Sequence, residues 1–290
     1  MSFNYEQSIW GRGEASLRWS DPTAFRLKQS LQAIASLPAG AKVLEVGCGA
    51  GQFIRAIKKM RPEFECFGSD ISREAITLAQ QKNDGVEYFI SEPYKLIDET
   101  SPFVPLLGGE GNFDAVLVFD VLEHVDNPAA LLQEIRRVLK PNGIFYAFVP
   151  CEGDWLSLWH LLEVLHLKKD LTKKHAGHIQ YFSRRSLLKL FGQNYFLIQR
   201  LRYSEHLLGQ KIGILAFWLM ERATKKQGGK QINNETYFGE QGSGLIRLIK
   251  KLVNGLVYIE STLFSLVPSP NVHVVAKKLA TPHPPSLSRG

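Results

Sequence analysis

Cysteine and methionine are scarce, with three of each in 290 residues. Cys48, Cys66 and Cys151 share no pairing pattern and no metal-ligand spacing. That excludes a disulfide framework and a cysteine-built metal site, and predicts reduced thiols in a cytoplasmic chain. No apolar run reaches the ~20 residues that a membrane-spanning helix needs. The opening residues, Met-Ser-Phe-Asn-Tyr-Glu, lack a basic start followed by an apolar run, so no secretory signal is expected. No nucleic-acid-binding motif stands out either. The net charge of +7 suits nucleic acid or an anionic membrane surface, so charge alone does not choose. The length fits one large domain, or one domain with an elaboration.

What is present is concentrated between Val43 and Asp70. Val43-Leu-Glu-Val-Gly-Cys-Gly-Ala-Gly-Gln-Phe53 reads as a strand ending near Glu45, then glycines at 47, 49 and 51, then a helix start. Phe67-Gly-Ser-Asp-Ile71 places Asp70 at the tip of the next strand. Glycines allow a tight turn and close approach of a ligand to the backbone. A helix start offers free N–H groups to a carboxylate or phosphate. An acid beyond the second strand can accept from both ribose hydroxyls, so the pair predicts a site for a nucleoside-bearing cofactor.

The Glu-x-Gly-x-Gly-x-Gly form differs from the dinucleotide fingerprint and resembles motif I of the class I S-adenosylmethionine-dependent methyltransferases. Phe113-Asp-Ala-Val-Leu-Val-Phe-Asp-Val-Leu-Glu-His-Val125 is similar to the family's fourth strand and the turn after it. Val138-Leu-Lys-Pro-Asn-Gly143 with Ile144 to Pro150 is similar to its fifth strand, and Gly177-His-Ile-Gln-Tyr-Phe-Ser183 to the stretch before the last core helix. These matches run in order over residues 40–200. The Leu-Glu-His and Gly-His motifs resemble the quinone-type O-methyltransferase-like branch.

The resemblance implies an α/β fold. It is a Rossmann-like, seven-stranded, mostly parallel sheet with helices on both faces. Strand seven is expected only at Asn271–Lys277, so a helical insertion should precede the last strand. The expected division is a methyltransferase domain over residues 1–204 and 271–280, an insertion over 205–270, and a disordered tail over 281–290. In the insertion, His206–Arg222 is very apolar, and Lys225–Gly244 reads as a glycine-rich loop. Leu245–Leu266 is amphipathic, with Leu245, Leu248, Ile249, Leu252, Leu256, Ile259 and Leu263 on one face. Two helices packed on the core, a cover over a lipophilic acceptor, and a membrane-surface patch all remain open.

The resemblance also implies the cofactor, S-adenosylmethionine, and roles for individual residues. Gly47, Gly49 and Gly51 would lie beneath its methionine part, and Glu45 would orient the site near its amino group. Asp70 would hold the ribose, Ile71 would pack on adenine, and Glu92 would take the adenine amino group. Asp120 would face the junction of donor and acceptor. His124, expected at a helix start, His178 and Tyr181 are the candidate catalytic groups. His175, His160, Trp155, Trp159, Tyr5 and Trp10 are weaker candidates for the mouth. Methyl transfer from a sulfonium demands alignment and exclusion of water, with a general base where the acceptor is a hydroxyl. The expected partner is a lipophilic or membrane-associated small molecule, methylated at oxygen. The expected location is the cytoplasm, with contact at the inner membrane face left open. An RNA or protein acceptor, and a non-catalytic module that only binds the cofactor, are the alternatives.

Overall fold

The computed structural model describes residues 9–92, 94–96, 111–165, 171–226 and 244–279. The connection after strand three, the loop over residues 227–243, the tail from 280 and Tyr5 lie outside them. Strands β1 (Lys42–Val46), β2 (Glu65–Asp70), β3 (Val86–Ile90), β4 (Phe113–Phe119), β5 (Leu139–Pro150), β6 (Phe196–Ser204) and β7 (Asn271–Lys278) form one sheet. Its order is β3-β2-β1-β4-β5-β7-β6. The first five strands run parallel, and β7 is antiparallel to both β5 and β6. Parallel strands need crossover helices on the faces of the sheet, so central strands are covered on both sides and read as unbroken apolar runs. Ala115–Phe119 does so and is buried throughout.

The helices are α1 (Ala24–Ala33), α2 (Gln52–Met60), α3 (Arg73–Gln80), α4 (Pro128–Val138), α5 (Leu158–Val164), α6 (Leu171–His175) and α7 (Arg184–Gln193). Two more, α8 (Leu207–Lys226) and α9 (Gly244–Leu263), stand between β6 and β7. Local chemistry sets several boundaries. The Ser72 hydroxyl accepts from Ala75 N at 3.1 Å and starts α3. Asn127 with Pro128 starts α4, and Ser183 with Ser186 forms a reciprocal cap on α7.

Two local expectations are corrected. His124 belongs to a short 3-10 turn, Leu122–His124, ahead of α4 rather than to the start of a helix. Asn127-Pro128, three residues on, is the stronger start signal. Leu139-Lys-Pro-Asn-Gly143, which the sequence suggests as the turn that ends a helix and launches strand five, is already within the strand. It is the bulged beginning of β5, where Asn142 takes a positive φ of 62° and the pairing with β4 shifts register.

The inserted helices dock on each other and on the N-terminal helix. Glu260 of α9 accepts from Leu208 N at 2.6 Å and Gly209 N at 3.1 Å, so it caps α8 from outside that helix. Asn254 donates to Ser20 O, Tyr258 meets Phe25 edge-on, and Gly255 lies so close to Trp19 that any side chain there would collide. α9 therefore packs through its small and polar face. Leu245, Leu248, Ile249, Leu252, Leu256, Ile259 and Leu263 all remain about half exposed or more. No helix among the described residues is long and apolar enough to cross a membrane.

Candidate active site

The carboxyl ends of β1, β2, β4 and β5 open onto one cavity of about 610 Å³, a size that holds a nucleoside-bearing cofactor and a small second molecule. Glu45, Gly47, Gly49, Asp70, Ile71, Glu92, Asp120, His124 and His178 line it. Of the expected site residues, Gly51 and Tyr181 do not. Gly51 turns the chain into α2 at φ 87°, and a Cβ there would strike the Tyr88 hydroxyl. Tyr181 is 37% exposed, away from the cavity, and its carbonyl passes close to Gly153.

At one end the glycine loop is held by β2. Gly47 N and Cys48 N donate to Ser69 O at 2.8 and 3.0 Å. The Asp70 carboxylate accepts from Gly49 N at 2.8 Å and Ser72 N at 2.9 Å, so one acid fixes both loops that flank it. Gly49 has φ 53°, and a Cβ would sit 2.5 Å from the Trp10 carbonyl, which accepts from Ala50 N. The N-terminal segment thus crosses the loop, and Trp10 joins the lining. Glu45 reaches from β1 to accept from Ile54 N of α2 at 2.7 Å. Burial is the main reason its carboxyl is pushed up to about 8, and Asp70 adds to the shift. Burial likewise raises the Cys48 thiol, which makes it a poor nucleophile. Ile71 is 47% exposed along the cavity wall, and Glu92 lies at the rim, where it pairs with Lys95 through the backbone.

In the middle, Asp120 ends β4 with a positive φ of 52°. Its carboxylate pairs with Arg26 at 2.6 Å, and that guanidinium lies 4.0 Å over the Phe148 ring and reaches Glu205 at 3.4 Å. Arg26 and Glu205 were not predicted from the sequence. They come from α1 and from the entry to the insertion, and only the fold unites them.

At the other end the two histidines meet, with ring centroids 5.0 Å apart. The backbone carbonyl of Glu123 accepts from Ile179 N and Gln180 N, both at 2.9 Å, and so lays residues 177–180 beside the 3-10 turn. His124 Nδ1 lies 3.2 Å from Gly177 O. A carbonyl only accepts, so Nδ1 carries the hydrogen and Nε2 keeps its lone pair. Burial, with His178 nearby, pushes His124 down to about 3, so it is a neutral imidazole at physiological pH. His178 Nδ1 is 3.0 Å from Glu152 Oε1, and Thr172 donates to the other oxygen at 2.9 Å. Glu152, just past β5, was missed. An acid beyond the carboxyl end of a parallel strand was the available signal. His175 points elsewhere and bonds Glu221 of α8 at 2.8 Å, while Trp155 is 78% exposed and His160 does not line the cavity. Trp159 does line it, edge-on to Phe217 of α8. Gly209, Gly213 and Phe217 bring the inserted helix into the wall.

Comparison with known proteins agrees with this geometry. A family model described as a methyltransferase domain matches residues 18–198, more than half of the chain. An uncharacterized methyltransferase of Schizosaccharomyces pombe is 33% identical over 128 residues, covering 40% of this chain and 41% of its own. A ubiquinone biosynthesis O-methyltransferase of Xanthomonas oryzae is 33% identical over 107 residues, covering 36% and 41%. The chain thus spans about two-fifths of the length of these relatives. Among solved structures, the cyclase SpnF superposes with a TM-score of 0.57 at 15% identity, over 92% of this chain and 86% of that one. A geranyl diphosphate C-methyltransferase from Streptomyces coelicolor gives 0.52 at 14%, over 88% and 76%; both likenesses speak to fold alone. The chain belongs to the class I S-adenosylmethionine-dependent methyltransferases. The residues at the β1–β2 end of the cavity fit that donor: a side-chain-poor loop, a carboxylate beyond β2 and a buried acid behind the loop.

Proposed function

We propose that this methyltransferase O-methylates a lipophilic, quinone-type small molecule drawn from a membrane surface. One observation carries the reading. The inserted helix α8 walls the far end of the donor cavity with Gly213 and Phe217, and the second inserted helix, α9, turns an exposed row of leucines and isoleucines outward among the described residues. On α8, exposed Leu207, Leu215 and Trp218, with Arg222 stacked 4.9 Å over the Trp218 ring, continue that surface. Apolar side chains beside a basic group and an indole suit the boundary between headgroups and acyl chains. The partial likeness to ubiquinone biosynthesis O-methyltransferases supports the oxygen acceptor and the quinone-type branch. In this reading residues 1–204 and 271–280 form the catalytic unit, and 205–270 form its membrane-facing cover.

Bound here, S-adenosylmethionine supplies a methyl on a positively charged sulfur. The donor would leave as S-adenosylhomocysteine once its methyl is on the acceptor oxygen, and His124 or His178 would take the hydroxyl proton. Asp70 holds the ribose hydroxyls, Ile71 packs against the base, and Glu92 receives its amino group at the rim. Gly47 and Gly49 let the methionine part lie against the backbone, with Gly51 supporting the turn from beneath. Asp120, neutralised on one side by Arg26, faces the junction. His124 and His178 meet the acceptor oxygen, with Glu152 orienting His178.

The test is to incubate the full chain with methyl-labelled donor and a cell extract, then separate lipid, RNA and protein fractions. Label is expected in the lipid fraction. Label confined to RNA or protein overturns the acceptor assignment, and no label in any fraction favours a module that only binds the donor.

Glu45 gives a second expected result. Its carboxyl, raised from 4.5 to about 8 in the folded chain, is mostly protonated at pH 7. The unfolded chain ionises first, so this group costs stability progressively as pH climbs from the lower value to the higher. A cationic ligand end beside it favours the carboxylate. Donor binding at pH 7 should therefore release up to about one proton. Calorimetry in two buffers of different ionisation enthalpy measures that number. Glu45→Gln should remove the release, and equal release in both proteins would take Glu45 away from the donor's amino group.

A further inference from the structure

We propose that Glu221 of α8, acting through His175, is a positioning residue for His178 and His124, which makes the inserted helix a working part of the acceptor end as well as its cover. The proposal rests on the assignment of the two histidines to the acceptor. α6 is only five residues long, Leu171–His175. A helix that short does not hold itself together in water, so its place must come from contacts outside it. Two carboxylates supply them from different elements. Glu152, just past β5, takes both ends of the turn. One of its oxygens accepts from the Thr172 hydroxyl at 2.9 Å, and the other lies 3.0 Å from His178 Nδ1. Glu221, on the inserted helix, takes the middle. One of its oxygens lies 2.8 Å from His175 Nε2 and 2.8 Å from Lys174 Nζ.

The His175 side chain is fully buried, and its Nδ1 has no partner among the described residues, so among them Glu221 alone holds the ring by a hydrogen bond. A carboxylate only accepts, so Nε2 carries the hydrogen. Burial opposes a charge on Glu221, yet the hydrogen bonds from Lys174 and His175 outweigh it and hold the carboxyl below its ordinary range. The clamp is therefore charge-assisted, and such bonds are roughly twice as strong as neutral ones. The turn carries its position onward to both histidines. Gly177 closes α6 at φ 82°, with its N–H donating to Thr172 O at 2.9 Å and Lys173 O at 3.1 Å. Its carbonyl lies 3.2 Å from His124 Nδ1, and the next residue is His178. Without Glu221 the turn keeps Glu152 at its ends and loses the anchor between them. The imidazoles at the acceptor then loosen, and a misplacement of ~1 Å at a reacting centre can cost about 100-fold in rate.

The experiment uses the full chain, isotope-labelled at the histidine ring Cε1 positions, so that each ring gives its own NMR signal and no acceptor is needed. His124→Gln and His178→Gln chains assign the two signals. Glu221→Ala is expected to move or broaden both. Lys225→Ala, which removes a cation 3.7 Å from the same carboxylate without touching the turn, is expected to leave them in place. Methyl transfer to the lipid fraction should fall ~10-fold in Glu221→Ala, less than a full misplacement would cost because Glu152 still holds the ends of the turn. S-adenosylhomocysteine affinity should stay within about twofold, since the donor end is untouched. Circular dichroism checks each fold. Should Glu221→Ala unfold, Glu221→Leu, which keeps the bulk and the helix propensity but cannot accept a hydrogen bond, is read by the same signals. Unmoved His124 and His178 signals in a folded Glu221 variant overturn the proposal. Absence of transfer by the unmodified chain would sink the acceptor reading, while the signals would still decide the role of Glu221, so the two failures are distinguishable.

Discussion

Asp70→Ala is expected to weaken binding of S-adenosylmethionine and S-adenosylhomocysteine at least ~100-fold, about 2.7 kcal/mol. Two effects add. The carboxylate is the charged acceptor on the cavity wall beyond β2, and hydrogen bonds to charged groups contribute about 1.5–3 kcal/mol each. It also accepts from Gly49 N and Ser72 N, so its removal leaves two loop amides without that partner and slackens the turn the donor rests on. The fold should survive, because Asp70 sits at the tip of β2 and the strand pairing to β1 and β3 does not use its side chain. Asp70→Asn keeps one carbonyl acceptor but cannot accept at both positions, so its affinity should fall between the two. Calorimetric titration with S-adenosylhomocysteine and a thermal melt separate the effects. Affinity within threefold of the unmodified chain, at intact stability, would dismiss Asp70 from the donor site.

The donor half was legible because its signals are local. A strand that runs to the glycine turn stands at Lys42–Val46, and Ser72 caps its helix as a serine before an acidic first turn should. The glycines, Asp70 and Glu45 fall in one stretch of chain, so a single strand–turn–helix–strand unit places them. The acceptor half depends on contacts between segments remote in sequence. His175 and His178 lie three residues apart, yet one is tied to Glu221 of the insertion and the other to Glu152 in the cavity. Nothing in their immediate neighbours distinguishes them. The difference comes from the Glu123 carbonyl, which registers residues 179 and 180 against the 3-10 turn. Arg26 is equally silent in sequence, a basic residue on an amphipathic helix until the fold sets it against Asp120 and Phe148.

The long helix α9 shows a different limit. Its apolar spacing was readable, and the usual inference is that such a stripe packs inward. Here Asn254, Gly255, Tyr258 and Ser261 take the inward positions, with Ser261 accepting from Glu205 N at 3.0 Å. Gly255 lets the helix approach Trp19 closely, and the glutamate that caps α8 comes from the same helix. Periodicity identifies a face without saying which side of the molecule it meets.

Gly213→Phe is expected to lower methyl transfer to the lipophilic acceptor on the order of 100-fold, about 2.7 kcal/mol in transition-state binding, while donor affinity stays within twofold. Gly213 lies on α8 in the cavity wall, and a Cβ placed there meets no atom within 4 Å. A benzyl group would therefore extend into open cavity rather than into packed protein, and would take the space assigned to the acceptor ring. Glycine in a helix interior costs about 1 kcal/mol relative to alanine, so losing it should not destabilise α8. Gly209, one turn earlier, is the contrasting position. Its Cβ would come within 2.6 Å of Glu205 Cβ, so Gly209→Phe should damage packing and lower the melting temperature. Label incorporated into the lipid fraction, S-adenosylhomocysteine titration and thermal melts distinguish the two. Unimpaired transfer by Gly213→Phe would mean that the acceptor enters elsewhere, and that the inserted helix does not wall the reacting end of the cavity.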